Sequence, residues 1–297
     1  MHGWLTLLKF SLTFPSGTGK TQLLLQLCCA IQLPPSLGGL SKMAVYISTE
    51  APLSTTRLVQ LLTSFKSRFA EYITSSGELS TDHVLSITCG DLESQEHILN
   101  YQLPVVVAKH NVGLIVVDSV AANFRAEYDN APSTVLTNTT PSPKKRTGPA
   151  LLAERGKQLV KMAQNLRNLA RAYNIAVVVA NQVSDRFEDA TRPSVSVSGS
   201  EMTLDHQTRW FTGWGDERDQ HVIGDKKMPA LGLVWTNCIG ARIALLKAVW
   251  RYGTNQLESD SSWKRWMKVV FMPWAESGRT TCYVIESGGV KGVAVAL

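Results

Sequence analysis

Ser16-Gly17-Thr18-Gly19-Lys20-Thr21, running directly into Gln22-Leu23-Leu24-Leu25-Gln26-Leu27-Cys28, is the stretch on which the fold turns. It matches the second half of the pattern Gly-x-x-x-x-Gly-Lys-[Ser/Thr], and the chemistry explains each residue type. Glycines let backbone N–H groups turn inward around a polyphosphate, the lysine reaches the β and γ phosphates, and the hydroxyl coordinates Mg²⁺. Leu24, Leu27, Cys28 and Ile31 recur near helical period over Thr21–Gln32. The N-terminus of such a helix adds about half a unit of positive charge. The implied ligand is a nucleoside triphosphate held by Ser16, Gly17, Thr18, Gly19, Lys20 and Thr21, with Thr21 on the metal. A Gly/Thr-rich turn with a surface lysine is the alternative reading.

The pattern has one defect. Its first glycine falls at position 14, where the chain has Phe14. Either the loop is altered, or the stretch before Pro15 reflects an incorrect gene model or a truncation. The expectation is therefore an atypical segment at 1–14 and one domain at 15–297.

Outward from the loop, branched-aliphatic runs recur at Met43–Ser48, Val84–Thr88, Val112–Val117, Ile175–Ala180, Leu231–Trp235, Arg242–Lys247, Lys268–Met272 and Cys282–Glu286. Several are apolar on consecutive residues, as in strands covered on both faces. Leu151–Tyr173 repeats Leu152, Leu159, Met162, Leu166, Leu169 and Tyr173 at helical spacing. Strand and helix alternate, which predicts an α/β fold: a mostly parallel twisted sheet flanked by helices. After about Leu231 short strands follow one another, predicting an antiparallel C-terminal edge. Two stretches, Asn130–Pro149 and Ser184–Pro229, lack apolar periodicity and read as long loops.

Composition narrows the class. With 44% hydrophobic and 18% charged residues in 297, the chain can bury a full core without disulfides or metals. Five cysteines form no Cys-x-x-Cys pair, which reads as reduced, core-packed thiols. The longest uncharged stretch, Thr21 to Ser41, is broken by glutamines and prolines and falls short of the roughly 18–20 apolar residues that span a bilayer. No membrane role is expected, and the N-terminus does not read as a signal peptide.

Three more segments end in polar residues where parallel strands should deliver a site. Ala44–Ser48 leads into Thr49-Glu50, and a carboxylate there can orient or deprotonate the water that attacks a γ-phosphate. Glu50 is the candidate base; a helix-start acid is the alternative. Val112–Val117 leads into Asp118, suited to Mg²⁺. Ile175–Ala180 leads into Asn181-Gln182, and Gln182 would reach the γ-phosphate from the sheet's carboxyl edge or else cap a turn.

Taken in order, the phosphate loop, Ile47-Ser48-Thr49-Glu50, Val117-Asp118-Ser119 through Arg125, Ala180-Asn181-Gln182-Val183, Pro229-Ala230-Leu231-Gly232 and Glu286 to Gly292 resemble the eukaryotic RecA-like recombinase family. Ser48-Thr49-Glu50, the segment from Asn123 to Asp129, and Leu233 to Asn237 are most similar to its paralogue branch, that of yeast Rad fifty-seven and vertebrate X-ray-repair-cross-complementing-three. The resemblance implies a RecA-like phosphate-loop NTPase core binding ATP and Mg²⁺. Lys20 and Thr21 would hold phosphate and metal, Glu50 would serve hydrolysis, Arg57 would stack on adenine and Gln182 would sense the γ-phosphate. It further implies a nuclear mediator of recombination repair, partnered by another RecA-like paralogue and by the strand-exchange recombinase on single-stranded DNA. A non-hydrolysing scaffold is the alternative.

A net charge of +6 permits DNA binding without specifying it. Arg125, Lys144, Lys145, Arg146 and Arg155 lie in or beside the first loop and are the candidate DNA contacts. The Lys-Lys-Arg run also fits an import signal or a solvated loop. Trp210, Phe211 and Trp214 in the second loop fit base stacking or packing equally.

Overall fold

A computed structural model describes residues 9–14, 17–73, 79–128, 148–185, 227–250 and 262–293. Its strands are β1 (Lys9–Phe14), β2 (Met43–Ser48), β3 (Val84–Thr88), β4 (Val112–Asp118), β5 (Ala176–Asp185), β6 (Lys227–Pro229), β7 (Ala241–Trp250), β8 (Ser262–Phe271), β9 (Thr280–Glu286) and β10 (Gly289–Val293). The helices are α1 (Lys20–Ala30), α2 (Thr55–Arg68), α3 (Ala70–Ile73), α4 (Leu92–His97), α5 (Leu103–Lys109), α6 (Val120–Tyr128), α7 (Gly148–Tyr173) and α8 (Gly232–Thr236).

The strands form one sheet in the order β10-β9-β8-β7-β1-β5-β4-β2-β3, with β6 paired to the end of β5. From β3 to β7 every pairing is parallel, and from β7 to β10 every pairing is antiparallel. The expected architecture is therefore present. The strand β1, drawn from the segment 1–14, lies in the middle of the sheet, with Phe14 opposite Gln182 on β5 and Phe10 opposite Ala241 on β7. The strand leads directly into the phosphate loop and sets it beside the tips of β5 and β4.

Alternation along the central strands produces two cores. Ala44, Tyr46, Leu114, Val116, Val178 and Ala180 face α1 and α2, whose Leu24, Leu25, Cys28, Leu58, Leu61 and Phe65 cover them. Val45, Ile47, Ile115, Val117, Val177 and Val179 face the other way, under Leu103, Phe124, Leu159, Met162 and Leu166. Burial on both faces is why these strands carry consecutive apolar residues. The α7 stripe is buried at Leu159, Met162, Ala163, Leu166 and Ala170, whereas its expected ends, Leu152 and Tyr173, are exposed.

Leu231–Trp235, expected as a strand, is instead the start of α8. Leu231 and Trp235 are buried while Leu233 and Val234 are exposed, a spacing of four that suits a helical turn and not an alternating strand. Five apolar residues are too few for periodicity to separate the two states. At the edges of the two expected long loops, α7 begins at Gly148, β5 runs to Asp185 and β6 starts at Lys227. Their interiors lie outside the described residues.

All five cysteines are free; Cys28, Cys29 and Cys89 are buried. Burial raises the Cys29 thiol to about 12 and the Cys89 thiol to about 11, so both stay protonated and act as small apolar groups. Among the described residues no helix is long and apolar enough to cross a membrane.

Candidate nucleotide-binding site

Gly17 (φ 74°) and Gly19 (φ 101°) both occupy the left-handed region, which bends the loop between β1 and α1 at little steric cost. Gly19 is the N-cap of α1, with no side-chain cap and no acid in the first turn. The first-turn amides are thus left for a ligand. The loop leans on the C-terminal hairpin: Tyr283 donates its hydroxyl to the Thr18 carbonyl at 2.7 Å, and Ile285 packs against Gly19. The Lys247 ammonium lies 3.7 Å from where a β-carbon on Gly17 would stand, bringing a second cation to the loop besides Lys20.

Thr21 in the first turn of α1 donates to Asp118 Oδ2 at 2.7 Å, and the same oxygen accepts the Tyr46 hydroxyl at 2.7 Å. The register explains the meeting, because Ser48 stands opposite Asp118 and Tyr46 opposite Val116 on the paired strands. Burial, and then the Asp118 charge, push the Tyr46 phenol far above its ordinary value, so it remains a donor. An alcohol and a carboxylate at the end of a phosphate loop suit Mg²⁺, a hard ion that prefers a few protein oxygens plus phosphate and water. Among the described residues no group of three or more His, Cys, Asp and Glu could hold a metal unaided.

Glu50 follows β2 and is exposed. Its Oε1 accepts from Ser119 Oγ at 3.1 Å and from the Gln182 amide. Gln182 Oε1 in turn accepts from the Arg125 guanidinium at 2.8 Å. Thr49 ties the two strand tips together, donating to the Ser119 carbonyl at 2.5 Å and accepting from the Ser119 N–H at 3.0 Å. Lys20, Thr21, Glu50, Asp118 and Gln182 thus gather at the carboxyl ends of β1, β2, β4 and β5.

Arg57 lies on α2 and donates to Gln22, to Gln60 and to the carbonyls of Glu286 and Ser287 at 2.7–3.1 Å. It joins α1, α2 and the β9–β10 turn beside the loop. Two of the candidate DNA contacts also bond within the chain. Arg125 reaches into the strand-tip cluster, and half-buried Arg155 donates to the Ala230 carbonyl at 2.7 Å, fastening α7 to the turn before α8. Ser16, Lys144, Lys145, Arg146, Trp210, Phe211 and Trp214 lie outside the described residues. Sequence reasoning did not select Tyr46, Thr49, Ser119, Lys247 or Tyr283. Tyr46 had a signal in hindsight: a hydroxyl inside an otherwise apolar strand needs a polar partner.

A central parallel sheet whose strand tips surround a phosphate loop, with an antiparallel C-terminal edge, defines a RecA-like phosphate-loop fold. The Rad51 family model matches residues 13–134. The chain is 41% identical over 268 residues to DNA repair protein rhp57 of Schizosaccharomyces pombe, covering 87% of this chain and 66% of that protein. It is 27% identical to DNA repair protein RAD57 of Saccharomyces cerevisiae, over 92% of this chain and 72% of that one. With DNA repair protein XRCC3 of Bos taurus the identity is 30%, over 94% of this chain and 67% of the relative. The chain belongs to the Rad51 family, in the company of its Rad57 and XRCC3 relatives. It spans about two thirds of the length of the fission yeast protein.

Proposed function

We propose that the chain binds ATP with Mg²⁺ at the loop of residues 16–21 and, as a weak DNA-dependent ATPase, acts as a recombination mediator in homologous-recombination repair of DNA double-strand breaks in the nucleus. The observation that carries this reading is the convergence of Lys20, Thr21, Asp118, Glu50 and Gln182 on one edge of the sheet, with the Thr21–Asp118 contact at 2.7 Å. When bound, the metal would neutralise charge on the phosphates. Thr21 and Asp118 would hold it, with Tyr46 fixing the Asp118 carboxylate. Lys20 and the first-turn amides of α1 would hold the phosphates. Glu50 would orient the attacking water and take its proton, Gln182 would contact the γ-phosphate, and Arg57 would lie against the adenine.

The names of the relatives, DNA repair proteins, support the biological role. Another RecA-like paralogue, the strand-exchange recombinase and single-stranded DNA are the proposed partners. A nucleotide-bound scaffold that does not turn over is a second reading, favoured by the two donors already on Glu50 Oε1. ATP turnover with and without single-stranded DNA, in the presence of the paralogue partner, separates the two. DNA-stimulated turnover abolished by Glu50→Gln supports the enzyme; no turnover supports the scaffold.

A further inference from the structure

Half-buried Arg57 directs its guanidinium at the protein itself. Such a group has five N–H donors and no acceptor. Its Nε donates to Gln22 Oε1 at 2.7 Å, one terminal nitrogen to Gln60 Oε1 at 3.1 Å and the Ser287 carbonyl at 2.7 Å, and the other to the Glu286 carbonyl at 2.8 Å. These acceptors lie on α1, on α2 and on the β9–β10 turn, so three elements fix the plane of the group at once.

Gln22 links this arrangement to the phosphates. It is the third residue of α1, its Cβ lies 4.0 Å from where a β-carbon on Gly19 would stand, and its backbone N–H is one of the first-turn amides without an acceptor inside the helix. The N-cap Gly19 has no side chain with which to hold that turn, and a helix start without a cap frays unless something outside it holds it. The far end of the Arg57 bridge rests on the hairpin that also supports the loop. There Tyr283 donates to the Thr18 carbonyl at 2.7 Å, Ile285 packs on Gly19, and Gln26 exchanges two hydrogen bonds with Val290, at 3.1 and 2.5 Å. Loop, β9, turn, guanidinium and Gln22 form a closed circuit around the first turn of α1, and Arg57 closes it.

We propose that Arg57 is a positioning residue for the phosphates: through Gln22 it holds the first-turn amides of α1 in the geometry a triphosphate needs, whatever base is attached. The proposal rests on the reading of residues 16–21 as a triphosphate site. It adds to a contact with adenine a role that a ligand lacking a base would feel.

The test uses the full chain as wild type, Arg57→Ala, Gln22→Ala and the double variant, with melting temperatures confirming that each folds. Affinities for ATP and for inorganic tripolyphosphate, both in Mg²⁺, are measured by displacement of a fluorescent ATP analogue. Gln22→Ala leaves the charge and the planar face of Arg57 in place, so it removes the link alone and decides the question even where Arg57→Ala fails to fold. Each single variant is expected to lose about tenfold in tripolyphosphate affinity, the worth of one hydrogen bond to a charged group. The double variant is expected to lose no more than either, because both changes break the same circuit. Tripolyphosphate binding unchanged by Gln22→Ala overturns the proposal, as does a loss in Arg57→Ala confined to ATP, which leaves Arg57 a base contact only. Losses that multiply in the double variant assign Arg57 a direct electrostatic effect and overturn it too. Wild type that binds neither ATP nor tripolyphosphate removes the triphosphate reading, and the proposal with it.

Discussion

Thr21, in the first turn after the phosphate loop, and Asp118, at the tip of β4, are 97 residues apart in sequence and share a 2.7 Å hydrogen bond. The contact joins the loop that would hold the phosphates to the strand that would hold the metal. Thr21→Ala and Asp118→Asn should each weaken nucleotide binding about tenfold or more in Mg²⁺, with a smaller loss in EDTA. Titration of a fluorescent ATP analogue under both conditions measures the difference.

Tyr46 gives a pH dependence of known sign. Burial and the Asp118 charge raise its folded value above the roughly 10 of an unfolded tyrosine, so its contribution is complete below about pH 10 and falls as pH rises toward the folded value. Denaturant unfolding of wild type should weaken with pH above about 10, and Tyr46→Phe should flatten that decline. Tyr46→Phe should also weaken Mg²⁺-dependent nucleotide binding at neutral pH.

The hairpin support of the loop is testable at Tyr283. Removing its hydroxyl leaves the Thr18 carbonyl without that donor, at a cost of about 1–2 kcal/mol. Urea unfolding of Tyr283→Phe should show this shift, together with weaker nucleotide binding than wild type.

The helical state of Gly232–Thr236 predicts unequal neighbours. Trp235 is 1% exposed and Leu233 39%, so Trp235→Ala should cost about 3–5 kcal/mol, while Leu233→Ser should stay within about 0.5 kcal/mol. An alternating strand would bury both residues on one face. Equal losses in chemical denaturation would favour it.

The strands β2, β4 and β5 were legible because burial on both faces makes their runs almost wholly apolar, and their tips were legible because a carboxylate or amide ends each run. Glu50, Asp118 and Gln182 follow from that rule, and the structure brings them together with Thr21. What the sequence concealed depended on pairing. Lys9–Phe14 has only six residues, and its place between β5 and β7 is decided by partners more than 160 residues away. Tyr283 and Lys247 reach the loop only because the antiparallel edge folds back beside it, which no local spacing encodes. Arg125 and Arg155 looked like surface charges by composition, yet one holds Gln182 and the other holds the Ala230 carbonyl. Charge alone did not distinguish a free cation from one already committed to the fold.

The central claim is that a triphosphate is held on the amides and lysine of this loop. Equilibrium binding of ATP in Mg²⁺ to wild type and to Lys20→Ala, with matched melting temperatures, tests it most directly. The account predicts a loss of about a hundredfold, near 2.7 kcal/mol, for the variant. Equal affinity in the two proteins would contradict it.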